Sequence, residues 1–133
     1  MSRTLLEVEN LVTEFHVEHG VARAVDGVSF SLEEGKTLGL VGESGSGKSV
    51  TSLSLMRLVP DPPGKILPSS RVVINGRDVM KLPEREMKRI RGREIAMIFQ
   101  DPMTALNPVF TIGNQLGEVL ARHQGLDGGR ARA

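Results

Sequence analysis

The stretch Gly42-Glu43-Ser44-Gly45-Ser46-Gly47-Lys48-Ser49 constrains this chain more than any other. Its three glycines let the backbone curl so that successive N–H groups point inward. Before it, Thr37–Val41 reads TLGLV, a short apolar run without alternation, the pattern of a strand buried on both faces. After it, KSVTSLSLMRLV places Val50, Leu53 and Met56 at three-residue spacing, widened by Leu55, Leu58 and Val59, which predicts a buried helix stopped by Pro60–Gly64. Strand, glycine loop and helix start together form a phosphate cradle. The helix end contributes unpaired N–H groups and a positive dipole end, Lys48 a full charge for β- and γ-phosphates, and the Ser49 hydroxyl a ligand for Mg²⁺. A plain glycine turn between strand and helix is the competing reading. The position of the loop between those two elements argues against it.

Around this loop the pattern changes character. Leu5–Phe15 alternates loosely and predicts a strand, Glu18–Gly20 a turn, and Val21–Val25 a returning strand. Val28, Phe30 and Leu32 share one face, with Ser29 and Ser31 on the other, as in an antiparallel sheet with one wet side. Arg71–Val79 predicts a strand running into an Asn75-Gly76 turn, Pro83–Gly92 a short helix, and Glu94–Phe99 a second buried-type strand. Pro102 and Pro108 bracket a loop. Ile112, Leu116, Val119 and Leu120 then give an amphipathic helix closed by Gly125, ahead of a short tail LDGGRARA.

Composition excludes several classes. The 133 residues support one domain with a core, and 39% hydrophobic with 25% charged residues is ordinary globular usage. A net charge of +1 and only four aromatic residues argue against a nucleic-acid binder. Without cysteine there are no disulfides or thiolate sites, which fits a reducing compartment. No window reaches the roughly 20 apolar residues of a membrane span, and Glu7 comes too early for a signal peptide. His16, His19 and His123 lack metal-site spacing, and the basic residues between Lys81 and Arg93 are diluted by Glu84, Glu86 and Glu94 into a solvated helix face.

LGLVGESGSGKS, preceded by a small antiparallel sheet and followed by IAMIFQDPMTALNP, resembles the ATP-binding subunits of ABC transporters, and within them those of oligopeptide and dipeptide importers. The resemblance implies an α/β fold of the P-loop NTPase type. It would comprise an antiparallel β-subdomain (residues 5–36), a P-loop strand and helix (37–59), a β-subdomain return with a short helix and core strand (60–99), and the Q-loop with the start of a helical subdomain (100–133). By position it makes Gly42, Glu43, Ser44, Gly45, Ser46, Gly47, Lys48, Ser49 and Val50 the cradle for ATP, with Ser49 and Gln100 on Mg²⁺. Lys48 and Gln100 would serve catalysis, Gln100 by sensing the attacking water. Phe15 falls where the family stacks an aromatic on adenine, though a core residue at a strand end reads equally well there. The implied partners are permease subunits, met by the loop after Gln100, and a homologous ATP-binding subunit in a dimer. The implied place is the cytoplasmic face of the membrane, reached through the permease.

The same resemblance calls for a signature motif, a Walker B strand with its catalytic glutamate, and a switch histidine. LDGGR at Leu126–Arg130 departs from the signature at Asp127 and Arg130 and follows Gln100 too closely. The expectation is therefore a front portion that binds ATP but hydrolyses it poorly. A non-hydrolysing nucleotide-binding fragment and a small soluble P-loop kinase are the competing classes.

Overall fold

The computed structural model describes residues 2–131. The end of the tail, Arg132 and Ala133, lies outside the described residues. Two compact units divide between Met87 and Lys88.

The first unit is built on a long hairpin, β1 (Thr4–Val17) and β2 (Gly20–Glu33). β1 is central. On its other edge it pairs antiparallel with β3 (Gly64–Ile66) through Thr13–Phe15, and with β4 (Arg71–Ile74) through Leu6–Glu9. β5 (Arg77–Asp78) folds back on β4 across Asn75-Gly76, whose φ values of 48° and 81° are those of a tight hairpin turn. Half-burial of Val28, Phe30 and Leu32 against exposed Ser29 and Ser31 matches the alternation of β2. β1 and β4 differ: Leu11-Val12-Thr13 and Val72-Val73-Ile74 are buried in unbroken runs, so the sheet centre is covered on both faces.

The hairpin register is interrupted, and one interruption matters for the loop. Thr13 pairs with Val25 but Glu14 with Arg23, which leaves Ala24 as one extra residue on β2. Such a bulge turns a carbonyl out of the ladder.

Helix α1 (Lys48–Leu55) is shorter than its apolar pattern predicts and buries only part of the predicted stripe, Leu55 and Met56, with Val50, Leu53 and Val59 half-buried. Its buried residues are Thr51, Ser54 and Leu55, followed by the capping Met56, while Leu58 is exposed. The helix ends early because Arg57 turns left-handed at φ 53°. Arg57 N–H then donates to Ser54 O (3.0 Å) and Leu58 N–H to Leu53 O (2.9 Å), closing the last carbonyls. The Arg57 guanidinium holds that turn by donating to the carbonyls of Val79 (3.0 Å) and Leu82 (2.6 Å). Against the sheet, Ser54 spends its hydroxyl proton on Val50 O at 2.7 Å. The buried Thr13 hydroxyl, 2.7 Å from Ser54 Oγ, is therefore the donor of that pair.

Two expected strands do not form. Thr37–Val41 has no ladder partner, with Val41 91% exposed. Glu94–Phe99 contributes only a single bridge between Ile95 and Arg91, and Ile98 is 98% exposed. An apolar run states what must be buried, but a strand exists only when a neighbour satisfies its N–H and C=O groups. Among the described residues no strand lies beside either run, so the sheet is wholly antiparallel.

The short helix α2 (Glu84–Ile90) begins immediately after Pro83, whose carbonyl accepts from Glu86 N–H (2.9 Å) and Met87 N–H (3.2 Å), and it carries the boundary between the units. In the second unit, the expected loop contains one 3-10 turn, Pro102–Thr104. Helix α3 (Ile112–Gln124) stops at left-handed Gly125, as the sequence predicts, and starts where Thr111 Oγ1 accepts from Asn114 N–H. Its apolar stripe is uncovered: Ile112, Leu116 and Val119 are all exposed.

Candidate functional site

The glycine loop is shaped by contacts that only glycine permits. A side chain at Gly42 would overlap the Ser46 hydroxyl, and one at Gly47 would overlap the Ala24 carbonyl, the one released by the β2 bulge. Gly45 and Gly47 adopt φ of 79° and 94°, a region that side chains disfavour. Ser46 N–H donates to Glu43 O (3.1 Å), which closes the turn around exposed Ser44 and Gly45.

Lys48 opens α1 and folds back over the loop. Its ammonium donates to the carbonyls of Gly42 and Glu43 (2.6 Å to the latter) and to Ser46 Oγ (3.2 Å). All three acceptors are neutral oxygens, and among the described residues no carboxylate is paired with the ammonium at the mouth of the loop. Because Gly47 caps α1 without a side chain, no side-chain oxygen takes up the first N–H groups of the helix. A full cation, a helix N-terminus and a backbone held too close for any Cβ suit a chain of phosphates.

Ser49 is exposed on the first turn of α1, and Val50 is half-buried behind it. No group of three His, Asp or Glu among the described residues could hold a metal alone. A divalent cation here would rest on the Ser49 hydroxyl and on the phosphates themselves. Phe15 is half-buried; its ring packs over the α-carbon of Gly64, with its Cε1 3.0 Å from where a Gly64 Cβ would lie. It pairs with Ala22, two residues from the bulged Ala24 that touches Gly47. Gln100 belongs to the second unit and is exposed in a bend after Phe99. The structure thus gathers Gly42–Val50 into one site in the first unit, with Phe15 on the neighbouring hairpin.

Sequence reasoning missed Ala24, Gly64 and Thr13, which respectively seat the loop, make room for Val59, the Pro60 carbonyl and Phe15, and anchor α1. Ala24 carries no signal of its own, since a bulge is a property of pairing.

A glycine loop seated on a β-bulge, opening a helix whose first lysine lies over it, defines a P-loop protein. The sequence model of the ABC transporter family matches residues 25–131, and the chain belongs to that family. The oligopeptide transport ATP-binding protein OppD of Bacillus subtilis is 50% identical over 120 residues, covering 90% of this chain and 33% of the relative. The dipeptide transport ATP-binding protein DppD of the same organism is 49% identical over 128 residues, covering 96% and 38%. The peptidoglycan transport ATP-binding protein YejF of Agrobacterium fabrum is 47% identical over 131 residues, covering 98% and 24%. The chain therefore spans about a quarter to two fifths of the length of these relatives. Membership in this family removes the kinase reading. No helix among the described residues is long and apolar enough to cross a membrane.

Proposed function

We propose that this chain is the front part of the energy-coupling, ATP-binding subunit of an ABC importer for oligopeptides, dipeptides or similar small solutes. The observation that carries the reading is the Lys48 ammonium held over the Gly42–Gly47 loop by two carbonyls and the Ser46 hydroxyl. In this reading Gly42, Glu43, Ser44, Gly45, Ser46 and Gly47 wrap the phosphates with backbone groups. Lys48 exchanges its carbonyl contacts for phosphate oxygens, and the first-turn N–H groups of Ser49 and Val50 face the same anion. Ser49 and Gln100 hold Mg²⁺, which neutralises phosphate charge when bound. Phe15 offers a ring to adenine.

The division into residues 5–36, 37–59, 60–99 and 100–133 belongs to the same proposal, as do permease subunits met by the loop after Gln100, a second ATP-binding subunit, and residence at the cytoplasmic face of the membrane. The names of the relatives support peptide transport.

The test is titration of the chain and of Lys48→Ala with a fluorescent ATP analogue. The backbone cradle survives the substitution and the charge does not. Charge-assisted contacts of roughly 1.5–3 kcal/mol predict at least about tenfold weaker binding. Equal affinities would overturn the reading.

A further inference from the structure

The alternation of β2 slips where Ala24 is inserted. In an unbroken register Ala24 would stand opposite Glu14, with Arg23 and Asp26 on opposite faces of the strand. The extra residue shifts that phase by one, so Arg23 stands opposite Glu14 instead and can meet Asp26 on one face. Its guanidinium uses both results. Arg23 Nη1 donates to Asp26 Oδ1 at 3.0 Å, and Arg23 Nε lies 3.7 Å from Glu14 Oε2. Both ion pairs belong to the bulged register, and each stabilises it against the regular one.

Glu14 anchors this arrangement. Its side chain is 13% exposed, against 52% for Arg23 and 69% for Asp26. A pair with one largely covered carboxylate is screened less than a fully exposed one. Two other basic groups approach the same carboxylate: His16 Nε2 lies 3.3 Å from Oε1, and Lys65 stands opposite Glu14 on β3. Of the three, Arg23 is the one that also pairs with Asp26, on the far side of the bulge. The carbonyl that the bulge turns outward is the one against which Gly47 rests. Loss of the bulge would withdraw that seat without changing any residue of the glycine loop.

We propose that Arg23 is a positioning residue: its ion pairs with Glu14 and Asp26 hold the Ala24 bulge and thereby set the phosphate affinity of the Gly42–Gly47 loop. The inference rests on the reading of that loop as an ATP site. It adds a residue outside the loop that controls the loop's shape.

The experiment titrates a fluorescent ATP analogue and inorganic tripolyphosphate into the full chain, Arg23→Gln, Arg23→Lys and Asp26→Asn. Arg71→Gln is the control, since it removes an arginine paired with Glu7 and Glu9 on the same sheet, away from the bulge. Asp26→Asn is the decisive variant. It removes a negative charge from the hairpin on which the anion site rests, so through-space electrostatics alone would tighten binding. A loosened bulge weakens it. The substitution is isosteric and lies on an exposed side chain, so it keeps the test open if Arg23→Gln folds poorly. The amide resonance of Gly47 is recorded in each variant without nucleotide. Gly45, whose surroundings are open, is the internal reference.

Arg23→Gln should weaken both ligands by about three- to tenfold and Asp26→Asn by about two- to fivefold, the factors expected for two ion pairs and for one. Arg23→Lys, whose compact ammonium reaches one carboxylate at a time, should fall between Arg23→Gln and wild type. The Gly47 resonance should move in Arg23→Gln and Asp26→Asn while Gly45 stays, and Arg71→Gln should change neither affinity nor Gly47. Tighter or unchanged binding in Asp26→Asn, or an unmoved Gly47 resonance in Arg23→Gln, overturns the proposal. Equal weakening in Arg71→Gln overturns it too, because general loss of charge would then suffice. Lys48→Ala, run alongside, separates this proposal from the reading beneath it. If Lys48→Ala binds ATP as tightly as wild type, the phosphate site fails and this proposal with it. If Lys48→Ala weakens binding and the Arg23 and Asp26 variants do not, the positioning role alone is lost.

Discussion

The α-carbon of Gly47 rests against the carbonyl oxygen of Ala24, in the space a side chain would need. The phosphate loop is thus seated on a defect in the β1–β2 hairpin, because Ala24 is the extra residue that turns this carbonyl outward. Gly45 has a similar φ, 79° against 94°, yet faces open space.

The two glycines therefore separate strain from collision. Gly45→Ala adds only the left-handed penalty, roughly 1–2 kcal/mol, whereas Gly47→Ala adds a backbone clash and should cost about twice as much. Urea unfolding midpoints measure the difference. Equal midpoints would mean that the loop is not seated on the bulge.

Arg57 performs two tasks that pull in opposite directions. Its backbone at φ 53° ends α1 at a cost glycine would not incur, and its side chain ties that end to the carbonyls of Val79 and Leu82. Arg57→Ala keeps the strain and loses both carbonyl bonds along with the 3.9 Å ion pair to Glu84, which predicts a loss of about 1.5–3 kcal/mol. Arg57→Gly loses the bonds but relieves the strain, so it should be more stable than Arg57→Ala by about 1 kcal/mol. The order wild type, Gly, Ala in thermal or urea unfolding checks the account; Ala above Gly would refute it.

These cases show what the sequence could and could not reveal. The Asn75-Gly76 turn and the Gly125 stop were legible because each is decided within a few residues of itself, whereas the Thr111 cap emerges only from the structure. The glycine loop was legible for the same reason, as a glycine and lysine spacing contained within eight residues. The length of α1 was not, since Arg57 is an unlikely left-handed residue and is held there by carbonyls 22 and 25 positions away. Nor was the buried face of α1: Thr51 and Ser54 look like surface residues until the Thr13 hydroxyl is placed beside Ser54. TLGLV and EIAMIF were read as strands from their apolarity, and their exposure shows that pairing partners, not composition, decide.

Phe15 can be divided into its two candidate roles. The ring packs on Gly64, so Phe15→Ala should lower stability whatever it does to nucleotide. Phe15→Leu keeps most of the packing volume and removes only the π-face. Its unfolding midpoint should stay near wild type, while affinity for ATP falls by about two- to tenfold, the range of an aromatic stack worth 0.5–1.5 kcal/mol. Affinity for inorganic tripolyphosphate should not change. If ATP and tripolyphosphate weaken together, or neither does, Phe15 is a packing residue only.

The last expectation concerns the two apolar runs without partners. Val41 is 91% and Ile98 98% exposed, and among the described residues neither lies in a strand with a ladder partner. Such a segment offers both the hydrogen-bonding edge and the apolar surface that another chain needs for pairing. The purified 133-residue chain should therefore self-associate with rising concentration, measured by sedimentation velocity. The exposed stripe of α3 is a competing source, with Leu116 at 62%. The substitutions Val41→Lys and Ile98→Lys place a charge on the two apolar runs without touching that helix, and Leu116→Lys does the reverse. If strand-edge pairing drives association, the first two shift the transition to higher concentration, their combination shifts it further, and Leu116→Lys leaves it in place. Relief by Leu116→Lys alone would assign association to the uncovered helix, and the two apolar runs would then be inert despite their exposure.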